Sequence, residues 1–285
     1  MTNVNRFINF SKALINIAAP FKLISDNREL LRQLVKRNIY GRYKGTVGGL
    51  AWSVIQPLLM LAVYTFIFSV VFKARWGNLP SGGLDGSYAF SVIMFCGMTV
   101  FSVFSESITA APMLIVGNPN YVKKVIFPIE ILPIAQVISS MIINLIWMAI
   151  LFIGAVFLLN SLSWTMLLLP VIFIPFLFFT AGLSFFVASL GVYFRDLAYV
   201  TGIIVQILFL LTPIFYSTQM VPEKFQFVLQ LNPLTWVVEE TRSVFLFKQL
   251  PNWDAIIVII IMSFVTFQLG YVWLNKTKKG FADVL

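Results

Sequence analysis

ILPIAQVISSMIINLIWMAILFIGAVFL, residues 131–158, contains no Asp, Glu, Lys or Arg. As a helix rising 1.5 Å per residue it would reach about 42 Å, more than the roughly 30 Å of hydrocarbon in a bilayer. Such a run has no polar face to offer water. It reads as a membrane-crossing helix, long enough to tilt or to project beyond the bilayer.

The rest of the chain agrees. Of 285 residues, 59% are hydrophobic and 11% charged, with 29 phenylalanines, against roughly 45–50% apolar and about 25% charged in a soluble domain. Mean hydropathy is +0.91. This is the composition of an integral, all-α membrane protein. The formal charge of +9 points to anionic lipid rather than nucleic acid, because the basic residues cluster in a few connections beside apolar runs. The single cysteine, Cys96, excludes an internal disulfide framework, and the absence of histidine removes the commonest general base and metal ligand. Residues 1–49 are basic and show no apolar core followed by a small-residue cleavage site, so no cleavable signal is expected.

Six spans are expected, at about 50–72, 88–110, 131–158, 165–194, 199–216 and 255–274. The fifth is short and should break at Thr212-Pro213. Placing the N-terminus in the cytoplasm puts nine Lys/Arg in residues 1–49 on that side. Lys123 and Lys124 follow in the second connection, Arg195 in the fourth, and Lys276, Lys278 and Lys279 in the tail. Only Lys73, Arg75, Lys224, Arg242 and Lys248 fall outside. Fifteen inside against five outside places both termini in the cytoplasm, consistent with an even number of spans. The expected organisation is a cytoplasmic arm, 1–49, followed by one transmembrane domain, 50–285. No internal repeat is evident, which disfavours inverted-repeat carriers.

The segments between spans are more informative. In DNRELLRQLVKRNIYGRYK, residues 26–44, Leu30, Leu31, Leu34, Val35 and Ile39 recur at helical spacing. Arg28, Arg32, Lys36 and Arg37 cover most of the other face. This is an amphipathic helix for the headgroup plane, either a plain anchor or one whose polar face also meets a cytoplasmic partner. The second connection, PMLIVGNPNYVKKVIFPIEILP (112–133), is stiffened by Pro112, Pro119, Pro128 and Pro133. Tyr121–Phe127 is expected to form two short turns of helix on the cytoplasmic face with Lys123 and Lys124 outward. Either this is an ordinary loop or its stiffness serves to pass force into the spans. Tyr193-Phe194-Arg195-Asp196-Leu197 is the matching short connection. Between spans five and six, Phe225–Leu231 and Leu234–Phe247 flank Asn232-Pro233. With Glu239, Glu240 and Arg242 in the second piece, neither is a full span, and the pair is expected to be a re-entrant hairpin, tolerated at membrane depth only where protein or water covers it.

Several chemistries lack their parts. There is no GxxxxGK[ST] and no Gly-Lys dipeptide, so the chain has no P-loop of its own. Metal hydrolysis and Cys/His catalysis lack ligands and bases. Glu106 is nearly alone among ionisable groups in the spans, too little for an ion-coupled carrier, and a structural hydrogen bond is expected of it. Tyr64, Phe68 and Phe72 follow one another at four-residue spacing on the first span, and Phe209, Phe215 and Tyr216 lie toward the far end of the fifth. Such rings either pack among helices or offer faces to sugar rings. Trp52, Trp164, Trp236, Trp253 and Trp273 sit near span ends, as interfacial anchors do.

Taken in order, the basic helix, GNPNYVKKVIFPIEILP (117–133), VYFRDLAYV (192–200), TPIFYS (212–217) and VPEKFQFVLQLNPLTWVVEETRSV (221–244) resemble the membrane subunit of ABC-2 type polysaccharide exporters, the family of O-antigen, teichoic-acid and capsule exporters. The resemblance covers roughly residues 25–285; residues before that fall outside it. It implies a homodimer with two copies of a separate cytoplasmic P-loop ATPase. That partner would hold ATP and Mg, with no cofactor in this chain. The implied substrate is a glycan on undecaprenyl diphosphate, moved outward across the inner membrane. By the same resemblance, Asn118, Pro119, Tyr121, Lys123, Lys124, Phe127 and Pro128 form one ATPase-coupling segment, and Arg195 and Asp196 a second. Arg28, Arg32, Lys36, Arg37 and Arg42 would suit the lipid diphosphate. Tyr64, Phe68, Phe215 and Tyr216 would line the channel. Asn232, Pro233, Glu239, Glu240 and Arg242 would form the outer gate. Alternatives are an ABC-2 exporter of drugs or small lipids, a membrane-embedded glycosyl- or acyltransferase, for which Glu239-Glu240 is the only adjacent acidic pair, and a secondary carrier.

Overall fold

The structure, a computed structural model, describes residues 18–72, 86–123, 127–159 and 163–285. Among these it is helical, without a β-strand. Helices α1 (Ala18–Asp26) and α2 (Arg28–Tyr43) precede α3 (Trp52–Tyr64), which widens into a π-helical stretch at Thr65–Val71. Then come α4 (Gly86–Ala110), α5 (Met113–Val116), α6 (Pro119–Lys123) and α7 (Ile131–Leu159). The remainder is α8 (Leu169–Tyr193), α9 (Leu197–Leu211), α10 (Glu223–Leu231), α11 (Pro233–Phe245), α12 (Trp253–Thr277) and α13 (Phe281–Val284).

Four described helical stretches are long and apolar enough to cross a membrane: Ala89–Ala110, Ile131–Phe157, Trp164–Tyr193 and Trp253–Val284. They fall on the second, third, fourth and sixth expected spans. The stretches at the first and fifth positions, Trp52–Phe68 and Leu197–Leu211, are apolar but shorter. At 15 residues, α9 rises only about 22 Å. It stops at Leu211 because Pro213 follows, and the residue before a proline is pushed out of the helical region; Thr212 has ψ 135°. α3 runs through Pro57, which lacks the N–H for one helical hydrogen bond, without a break.

Two cores lie at opposite ends of the helices. α8 gives Leu169, Ile172, Phe173 and Phe176 to one and Ala181, Phe185, Ala188 and Val192 to the other. The first gathers α4, α11 and the start of α12; the second gathers Leu34 and Val35 of α2, Ile115, Ile129, Leu274 and Phe281. Along the molecule α8 and α12 run in backbone contact. A Cβ on Gly270 would stand 2.2 Å from the Gly182 carbonyl oxygen, an approach that only glycine allows and that membrane helix pairs exploit.

Candidate functional site

At the end of the molecule that carries α2, three segments close on one another. Leu34 and Val35 are buried against the start of α7, as amphipathic spacing demands, while Arg28, Arg32, Lys36 and Arg37 remain exposed. Arg37 reaches out of the helix to the second connection. Its Nη1 donates to the Tyr121 hydroxyl at 2.8 Å and to Asn118 Oδ1 at 3.4 Å, and its guanidinium lies 5.6 Å from the Tyr121 ring centre. Tyr121 stacks in turn on Phe127, with centroids 4.2 Å apart and planes within 6°. The two segments assigned separately to lipid and to coupling are thus joined by one arginine.

The connection itself begins its helical turn earlier than the sequence reading places it. α6 starts at Pro119, whose fixed φ suits the first position of a helix, and Phe127 and Pro128 lie outside any helix. Lys123 closes α6, whereas Lys124 lies outside the described residues, as do Lys73 and Arg75. In the other connection Arg195 and Asp196 are exposed, ahead of α9.

Next to the Arg37 junction is a polar cavity of about 710 Å³ lined by Arg37, Arg42, Glu106, Gln136, Ser139 and Ser140, among others. Arg42 donates to Glu106 at 2.7 Å, so the carboxylate near the end of α4 has the structural partner expected of it. Burial works against the Arg42 charge, but the Glu106 hydrogen bond and charge outweigh it and hold the guanidinium above its usual value. Tyr43, Thr46, Trp52, Gln56, Leu59 and Met60 line an open, apolar groove of about 350 Å³.

At the other end, α10 and α11 meet at Asn232, whose side chain accepts from Leu234 N at 3.1 Å and donates to Thr212 Oγ1 at 3.0 Å. Arg242 is fully buried. It donates to the carbonyls of Ile93, Pro213 and Ile214 at 3.3, 2.6 and 3.0 Å and to Glu239 at 3.3 Å. Glu240 accepts from Asn252 N at 2.9 Å. Of the aromatics expected along a channel, three meet one another, Phe68 stacking on Phe215 at 5.2 Å and Tyr64 lying 5.6 Å from Phe215, while the Tyr216 hydroxyl donates to Leu211 O at 3.1 Å. Among the described residues no group of His, Cys, Asp and Glu could hold a metal.

Residues 29–246, three quarters of the chain, match the family of ABC-2 type transporter membrane proteins. The chain belongs to that family. It is therefore a multi-pass transport component. The O-antigen export system permease protein RfbA of Klebsiella pneumoniae is 29% identical to it over 259 residues, 90% of this chain and 95% of the relative. The protein of the same name from Myxococcus xanthus is 25% identical over 258 residues, with the same coverage.

Within this ABC-2 chain, sequence reasoning names Arg242 but not its burial, and names Glu106 but not Arg42 as its partner. It passes over Gly97 altogether. A Cβ there would stand 2.8 Å from Arg242 Nη2, so the missing side chain makes room for the guanidinium. An arginine three residues past Glu239, among the apolar residues of 233–245, was the available signal, since such a charge has to find partners.

Proposed function

We propose that this chain is the membrane-spanning subunit of an ATP-driven exporter that carries undecaprenyl-diphosphate-linked polysaccharide, O-antigen in the first instance, from the cytoplasm to the periplasm. The observation that carries this reading is the Arg37 junction between α2 and α6, in a chain that matches 95% of the length of relatives named as O-antigen export permeases. A motor pressing on α6 would move α2 with it, and α2 is seated on α7.

In this reading the chain crosses the inner membrane six times, with α3 and α9 as the shorter spans and both termini in the cytoplasm. The α2 end faces the cytoplasm, where two copies of a P-loop ATPase, holding ATP and Mg, engage residues 118–128 and Arg195-Asp196. The exposed apolar faces of α3 and α9, including Leu58, Leu59, Ile203 and Ile207, are covered by lipid and by a second copy, so that a homodimer completes the channel beside Tyr64, Phe68, Phe215 and Tyr216. α10 and α11 form the re-entrant outer gate. The polar cavity with Arg37 and Arg42 would take the lipid diphosphate, with the neighbouring apolar groove available to its hydrocarbon.

Deleting the gene from a host that displays O-antigen tests the substrate. The expected result is lipid-linked polymer accumulating in the cytoplasm and absent from the surface, restored by the intact gene. Unchanged surface polymer would refute the glycan reading and leave the family assignment in place.

A further inference from the structure

We infer that residues 277–285 act as a strut that ties the two ATPase-facing connections into one moving body, with Lys278 and Glu130 as positioning residues for coupling; this rests on the export reading above. Glu130 belongs to the proline-rich connection, two residues past Pro128, and its side chain is 2% exposed. It is deeply buried. Its partner is Lys278, 148 residues away, just past the end of α12.

The same few residues grip the other connection. Thr277 O accepts from the Tyr193 hydroxyl at 3.0 Å, and Thr277 Oγ1 lies 2.6 Å from Ser189 Oγ. Phe281 is fully buried and meets the Tyr193 ring at 5.9 Å in an edge-on contact. Gly280 passes so close that a Cβ there would stand 2.9 Å from the Tyr193 hydroxyl. Phe281 also shares its core with Ile115, Ile129 and Leu34, and Tyr121, Phe127 and Leu285 pack against that core. One short tail thus holds the connection that ends in Glu130 at one point and the connection that starts at Tyr193 at another.

Pro112, at the start of the proline-rich connection, already lies against Gly191 near the end of α8, and the tail adds a second tie between the two connections. Bolted to a common tail, they transmit a single displacement. The pair is lopsided, with Glu130 buried and Lys278 about one third exposed, so loss of the lysine would leave a carboxylate buried without its counter-charge.

The test uses the full chain assembled with its ATPase. Glu130→Gln combined with Lys278→Met removes both charges, so neither is orphaned, and Phe281→Ala attacks the second anchor with the pair intact. Both variants should assemble and hydrolyse ATP, with polymer exported per ATP falling at least about fivefold, while Lys278→Arg should retain most of it. Wild-type export per ATP in either assembled variant overturns the strut. Failure of the double variant to assemble while Lys278→Arg assembles would also overturn it, since the pair would then serve folding alone. Thiol crosslinking of Asn120→Cys and of Arg195→Cys to the ATPase separates this from the broader reading. If neither position crosslinks, the coupling assignment itself fails.

Discussion

Arg242 carries a full charge out of contact with solvent, held by three backbone carbonyls and one carboxylate. Two of those carbonyls, from Pro213 and Ile214, lie in the non-helical stretch just past α9, so the arginine gives donors to backbone acceptors that no helix pairs. Methionine of similar length would fill the space but leave all three carbonyls without this donor. We expect Arg242→Met to lower stability by about 3–5 kcal/mol, the range for breaking a buried charge network. Arg242→Lys should fall between, because one ammonium does not reproduce the planar fork that spans these acceptors. Thermal unfolding of the detergent-purified protein checks both, and a native-like midpoint for Arg242→Met would show that the clamp contributes little.

The elements divide into those whose role is written locally and those whose role depends on what they touch. The outline of α2 follows from the spacing of Leu30, Leu31, Leu34 and Val35, and the end of α9 from Pro213. The turn at Asn232-Pro233 follows from a capping side chain before a proline. None of these needs knowledge of a distant residue. The Arg37 bond to Tyr121, 84 residues away, and the Lys278 bond to Glu130, 148 away, depend on how helices stack, and periodicity carries no information about that. The expected helix over 121–127 sits a little late for a different reason: Pro119, read there as a break, is the first residue of the turn. The glycine crossing was equally hidden, since Gly182 and Gly270 look ordinary in two apolar runs. Gly270→Ala should push α12 off α8 and cost about 1–3 kcal/mol, the usual penalty for overpacking, read as a lower unfolding midpoint. An unchanged midpoint would mean that the helices can separate freely. At the same scale, Lys123→Glu with Lys124→Glu should reduce export more than the amount of protein inserted in the membrane. Equal losses, or normal export, would remove the transmission role from those lysines.

At the scale of the molecule, the two cores place the junction of α2, α6 and the tail at one end and the Arg242 clamp at the other. Between them α8 and α12 are in backbone contact at Gly182 and Gly270. On this account the chain draws its energy from a partner ATPase held at the α2 end, which must therefore face the cytoplasm. The most direct measurement is side-specific thiol labelling in intact cells. In a Cys96→Ala background, which removes the single native thiol, cysteines are placed one at a time at Asn120 and Arg195, both exposed. A membrane-impermeant reagent added outside should label neither position until the inner membrane is opened. Labelling of both from the periplasmic side of a sealed inner membrane would contradict it, because no cytoplasmic motor could then reach the segments assigned to it.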